Sequence, residues 1–409
     1  MTLVAALRDS GWLTRERVRA YAIIVLGVEM LALIILAART YDVFLPIDPP
    51  TSLDFMSFYA AGDLVDHGTP ALVYNEAIHE QTEKRIYGDP RIPYFGFYYP
   101  PVFQLVCAAL AVLPFTLSYV LFMLVTGAAY WWVMRGTIRD PVLIMALASF
   151  PAAFLTVALG QNSFLTTALL GGALLLLDRR PLLAGILFGA MCYKPHFLLL
   201  VPVALIAGRY WKTLVAAAVT GAALTLVSLL VLGWATWHAF LTVTLLAQSV
   251  FESGRVGFYH LISLFGAVRL VGGGPGLALS LQGIATMGAA VAVAVVWYRR
   301  PEPALRAAVL IAATLAALPV ILFYDLLPAT LAMAWLITDA RRRGYLPWEK
   351  TALCAMWPVA LLCRGIGEKT HVPIGWLLTF GLLALALLHF RRATARAKPR
   401  SAMEQIEKA

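Results

Sequence analysis

The stretch YAIIVLGVEMLALIILAA, residues 21–38, is apolar but for Glu29. A run of roughly 17–25 such residues is long enough to cross a bilayer as a helix, and an open segment in lipid satisfies its own backbone only as a helix. Runs of the same kind recur at 214–232 and 277–298. Across 409 residues the chain is 61% hydrophobic and 13% charged, too little polar surface for a soluble protein of this size. The predicted fold class is therefore all-α and polytopic, a membrane protein. A basic flank ahead of 21–38 resembles a signal peptide. The apolar run exceeds the usual span of roughly 7–15 residues, so an uncleaved anchor is expected.

The formal net charge is +10, but its distribution speaks against nucleic acid. The cations fall in short clusters between apolar runs: Arg15, Arg17 and Arg19; Arg135 and Arg139; Arg179 and Arg180; Arg209 and Lys212; Arg299 and Arg300; Arg341 to Arg343; Arg391 and Arg392. Such clusters mark cytoplasmic loops. The four cysteines, Cys107, Cys192, Cys354 and Cys363, lie in apolar segments without a CxxC spacing. They read as small buried hydrophobes, with no metal site or disulfide framework implied.

Threading the chain between these clusters predicts about twelve transmembrane helices in one domain spanning 1–409. Both termini are cytoplasmic, with a basic tail at about 391–409. A long first outer loop, about 39–114, carries many acids and two short helices at 55–66 and 75–86. The apolar stretch 102–113 is too short to span and is expected to be interfacial or re-entrant. Spans follow at 115–134, 142–158 and 164–177. The stretch 182–207 is broken at Lys194-Pro195-His196, because proline disrupts a helix and restricts the residue before it. A span at 213–232 leads into a second outer loop at about 233–276. Spans at 277–298, 306–322, 326–339, 351–363 and 374–390 complete the set.

This layout puts Asp54, Tyr98-Tyr99-Pro100, Gln161-Asn162, Lys194, His260 and Asp325 on the outer side, from separate segments. Ionisable groups at membrane depth are costly and mark sites or pathways, so one pocket is expected. Each residue also has a plainer role. Asp54 can cap the helix from Phe55, Lys194 can snorkel to an interface, and Gln161, Asn162 and Asp325 can serve caps or turns. Tyr99 can be an interfacial anchor. His196, His260, Arg269 and Arg255 can be solvated. Glu29 reads as structural.

The motifs that matter come in order along the chain: DFMSFYAAG from Asp54, FYYPPVF from Phe97, LGQNSFL from Leu159, GILFGAMCYKPHFLLLVPVAL from Gly185, SLFGAVRLVGG from Ser263 and FYDLLPATLA from Phe323. With its long first outer loop, this ordered set resembles the GT-C superfamily of integral membrane glycosyltransferases, and most closely glycosyltransferase family 87. The resemblance implies a polyprenyl-phosphate sugar as donor, typically carrying mannose, and a lipid or glycan acceptor outside the cytoplasmic membrane. Asp54 matches the essential aspartate of the first loop and would be the general base. By the same analogy Lys194 would sit near the donor phosphate, with Asp325 at the pocket rim. His196, Arg269, Tyr99, Gln161, Asn162 and His260 complete the expected binding set. The next acid after Asp54 is Asp63, nine residues on, so no paired-acid metal site is expected, and one base without a close second acid favours inversion. No cofactor and no nucleotide-cradling glycine loop is implied.

Two other classes remain. A transporter or lipid flippase would place its polar site near mid-membrane, around Glu29, with broken helices in paired halves. An inactive assembly subunit would not need an acid at position 54.

Overall fold

The computed structural model describes residues 2–40, 54–254 and 257–406. Asp42, Asp48 and Arg255 lie outside the described residues. Within them every regular element is helical: α1 (Leu3–Asp9), α2 (Arg15–Thr40), α3 (Phe55–Asp66), α4 (Glu76–Tyr87), α5 (Pro101–Ala111), α6 (Phe115–Thr137), α7 (Pro141–Ala148), α8 (Pro151–Leu159) and α9 (Ser163–Leu176) in the first half. The second half holds α10 (Pro181–Ala190), α11 (Val201–Ala207), α12 (Trp211–Ser253), α13 (Leu264–Leu270), α14 (Pro275–Arg299), α15 (Pro303–Ala317), α16 (Pro328–Arg343), α17 (Glu349–Thr370) and α18 (Trp376–Ile406). Proline opens many of them, at a position where its missing N–H leaves nothing unpaired.

Five helical stretches are long and apolar enough to cross a bilayer: Arg15–Ala38, Phe115–Thr137, Trp211–Thr244, Pro275–Arg299 and Trp376–Ala395. The bent pair α7–α8 makes a sixth if counted as one span. The chain is a membrane protein, but by length and composition it does not reach the expected twelve crossings. Several of the remaining apolar helices, among them α5, α9 and α15, are shorter than a bilayer is thick.

The two short helices of the first outer loop form where the pattern placed them, as α3 and α4. Two expectations need correction. The span at 142–158 is not straight: α7 and α8 meet at 53°. Phe150 is extended (φ −73°, ψ 130°) ahead of Pro151, the conformation proline imposes on its predecessor. Pro151 was the signal for that turn, set in an otherwise mostly apolar run. The second outer loop also begins as helix. Gly233 takes a non-helical conformation (φ 80°, ψ 164°), and α12 resumes beyond it, since glycine turns the chain at little steric cost.

The core centres on α15 and α16. Residues Leu305 to Ala317 are buried on every face, as a helix apolar all round must be, and its many alanines admit close neighbours. At the Asp54 end, α3 lies against α5 at backbone distance. A Cβ on Gly62 would come within 2.1 Å of the Cys107 carbonyl oxygen. A separate small cluster of Leu261, Phe265 and Ala278 supports the segment after α12, which is tied by Ile262 N–H to the Ile321 carbonyl at 3.0 Å. At the other end buried charges are paired: Arg306 with Asp178 at 2.8 Å, and His389 with both Asp339 and Glu349 at 2.9 Å.

Candidate active site

Asp54 opens α3 but does not cap it. Its backbone is already helical (φ −56°, ψ −23°) and its side chain makes no capping bond. The carboxylate instead turns across the bundle, where Oδ2 accepts a hydrogen bond from Gln161 Nε2 at 2.7 Å. Burial raises the Asp54 pKa to about 6, and the Gln161 bond partly opposes that rise. A carboxylate poised near neutrality and held by one neutral donor suits proton abstraction.

The neighbour of Gln161 reaches the other way. Asn162 Oδ1 accepts from Lys194 Nζ at 3.1 Å, and the same ammonium donates to Asp325 Oδ1 at 2.6 Å. Lys194 sits where the helix breaks before Pro195, with φ −134° and ψ 63°. Its side chain is only 3% exposed, so it does not snorkel. It also lies 5.2 Å from the Phe197 ring centroid and 5.8 Å from that of Tyr324. Asp325, expected at a rim, is buried and also takes the Leu322 N–H at 3.4 Å. The adjacent amides thus link a polar pair, Asp54 with Gln161, to a trio, Asn162 with Lys194 and Asp325.

Tyr99 closes the gap between these ends. Burial, then the charge of Asp325, raises the pKa of its phenol, and Asp54 adds to that effect. Tyr324 responds to the same two carboxylates. A second acid therefore shares the field of Asp54. It is Asp325 from far along the chain, whereas Asp63 faces Arg85 and His67. Aromatic rings fix the wall: Phe58 packs on Tyr99 at 5.4 Å and on Phe103 at 5.1 Å, and Phe103 stacks on Tyr193 at 5.1 Å. At the amide turn, Gln161 Oε1, Asn162 Nδ2 and Ser163 Oγ are buried without a hydrogen-bond partner among the described residues. Such groups each cost about 1–3 kcal/mol, a cost that a bound polyol can relieve.

Gly160 makes this turn possible. Its φ of 69° is left-handed, and a Cβ there would stand 2.5 Å from Phe55 Cβ. Alanine at a left-handed position costs about 1–2 kcal/mol, and the contact adds to it. Gly160→Ala is expected to lower the melting temperature in detergent and to push Phe55, and with it Asp54, off Gln161. Unchanged melting in that variant would show that the turn relaxes freely.

His196 is exposed but lies in the field of Lys194 and Asp325. His260 stands further off, its ring 5.8 Å from Phe323 and influenced by Arg364 and Glu368. Arg269 belongs to another constellation, donating to the Gly273 carbonyl at 2.7 Å with its guanidinium 4.5 Å from the Phe258 ring. The sequence reading missed Tyr324, Tyr193 and Ser163, and also a buried pair under α3. His79 and Glu83 face each other at 3.5 Å, both wholly buried. His79 Nε2 meets the Ser57 carbonyl at 3.3 Å, while Glu83 takes the Phe95 N–H at 3.0 Å. Burial lowers His79 to about 4 and raises Glu83 to about 8, with Glu80 and Asp54 adding to the latter. Their spacing of four residues on one helix was the available signal. No group of three or more His, Cys, Asp or Glu residues that could hold a metal ion occurs among the described residues.

In comparison with known families, residues 97–324, more than half of the chain, match the family described as Glycosyltransferase family 87. No curated protein and no solved structure matches the chain.

Proposed function

Because the chain belongs to glycosyltransferase family 87, we propose that it moves a hexose, with mannose the first candidate, from a polyprenyl-phosphate donor to a hydroxyl of a lipid or glycan acceptor. The observation that carries this reading is the Gln161-Asn162 turn, whose adjacent amides hold the Asp54 carboxylate and the Lys194 ammonium. Asp54 takes the proton of the acceptor hydroxyl as its oxygen attacks the anomeric carbon. The bond from that carbon to the phosphate oxygen breaks, and polyprenyl phosphate leaves as an anion. The transition state has oxocarbenium character, as in glycoside chemistry generally. One displacement on one face inverts the anomeric centre.

Lys194 stabilises the departing phosphate, since fixed positive charge is most effective where negative charge develops. It meets the phosphate in competition with Asp325, which already holds it. The unpartnered amide and hydroxyl atoms at 161–163 take sugar hydroxyls, and Tyr99 and Tyr324 flank the ring. The scheme requires no metal and no nucleotide. Its natural setting is the outer face of the cytoplasmic membrane, in a cell envelope, with both termini inside and the shorter apolar helices completing about twelve crossings. The transporter reading finds less support. Glu29 has no polar partner among the described residues and stands on α2, a helix scarcely covered by protein.

The direct test is reconstitution in vesicles with radiolabelled polyprenyl-phosphate mannose and a membrane lipid extract as acceptor. Label is expected to move to a new lipid or glycan product. Transfer only from a nucleotide sugar would refute the donor assignment, and movement of intact donor across the bilayer without transfer would favour a flippase.

A further inference from the structure

A cavity of about 490 Å³ lies between α2, α7, α16 and α17, at the other end of the bundle from Asp54. The start of α6 is beside α3, where Tyr59 donates to the Leu113 carbonyl at 2.8 Å. From there α6 runs 23 residues, about 34 Å, and Asp140 follows its far end. The walls are apolar: Tyr21 and Val25 from α2, Leu143 and Ala146 from α7, Leu353 and Trp357 from α17. Three cations and one acid, Arg15, Arg341, Lys350 and Asp140, also line it.

That ratio leaves positive charge uncompensated. Asp140 Oδ2 alone receives both Arg15 at 2.6 Å and Arg341 at 3.0 Å, and the two arginine side chains are 55% and 48% exposed. Lys350 lies 4.6 Å from the Tyr345 ring centroid and makes no ion pair among the described residues. An apolar volume of several hundred Å³ with a few polar groups is typical of a ligand pocket. Basic pockets between membrane helices, near the bilayer surface, hold anionic head groups. The wall formed by α2 is otherwise scarcely covered by protein, so the cavity adjoins the lipid itself.

We propose that this cavity binds one anionic phospholipid from the leaflet opposite Asp54, its acyl chain against Leu143 and Trp357 and its phosphate between Arg341 and Lys350. The site is independent of the transfer chemistry. Native mass spectrometry of the purified chain, loaded with dioleoylphosphatidylglycerol or dioleoylphosphatidylcholine, tests it. The parent is expected to retain one phosphatidylglycerol in preference to phosphatidylcholine. Lys350→Gln, which breaks no ion pair, is expected to lower that retention about fivefold, the worth of one interfacial cation. Ala146→Trp, which puts a large ring into the cavity, is expected to lower it further. Equal retention of the two lipids by the parent, or retention unchanged in Lys350→Gln, overturns the proposal whether or not Ala146→Trp folds.

Discussion

Asp54→Asn is expected to abolish sugar transfer while making the protein more stable at neutral pH. A positioned general base contributes about 10²–10⁴-fold, and asparagine cannot take the acceptor's proton. The stability gain follows from the same burial. The folded pKa of Asp54, about 6, lies above its ordinary 3.8, so between those values the native state binds more protons than the unfolded chain. The stability tied to this group is complete below the unfolded value and is lost as pH rises through about 6. By pH 7 the native protein holds a desolvated carboxylate at a cost of about 3 kcal/mol, which asparagine removes. The side-chain amide of Gln161 can turn to present its oxygen to the new amide, so the contact survives. Parallel measurements of transfer and of melting in detergent check both halves. The parent's rate should also rise with pH through a limb near 6. Normal turnover in the variant would eliminate the base assignment, and a drop in stability with activity intact would make Asp54 a structural residue.

Lys194→Met is expected to cost about 3–5 kcal/mol, because it leaves the Asp325 carboxylate buried without its partner. Loss of activity in that variant alone would therefore say little about phosphate. Lys194→Met combined with Asp325→Leu separates the two roles. Replacing a buried ion pair with apolar residues of similar volume is often neutral or stabilising, so melting should return near the parent value. Transfer should not return, because the leaving phosphate has lost its cation, and donor KM should stay high. If the double variant recovers both stability and transfer, the pair is scaffold, and the donor phosphate binds elsewhere.

Much of the site could be read from the sequence because its residues are polar where everything around them is apolar. Asp54, Gln161, Asn162, Lys194 and Asp325 each interrupt a hydrophobic stretch, and helix breaks at Gly160 and Pro195 bring them to one level. The partnership of Lys194 with Asp325 was not legible. It joins residues 131 apart in the chain, and no local pattern encodes which of several buried acids a lysine will meet. The sequence set Asp63 aside as a partner for Asp54 and placed Asp325 at the rim of the same pocket, where the structure instead buries it. The bend at Pro151 and the helix beyond Gly233 were missed for another reason. Both lie in apolar sequence, where hydropathy reports burial in lipid or protein but not direction.

The main-chain contact of Gly62 with Cys107 gives the Asp54 end of the bundle a fixed jaw. At that contact no side chain stands between α3 and α5 to yield, so the wall bearing Asp54 and Tyr99 is held in place. The segment through Phe258–His260 and α13, by contrast, rests on its own small apolar cluster and is tied to the chain before Tyr324 at Ile321. Any opening of the proposed pocket would then have to come from elements other than α3 and α5, leaving the Asp54 carboxylate stationary.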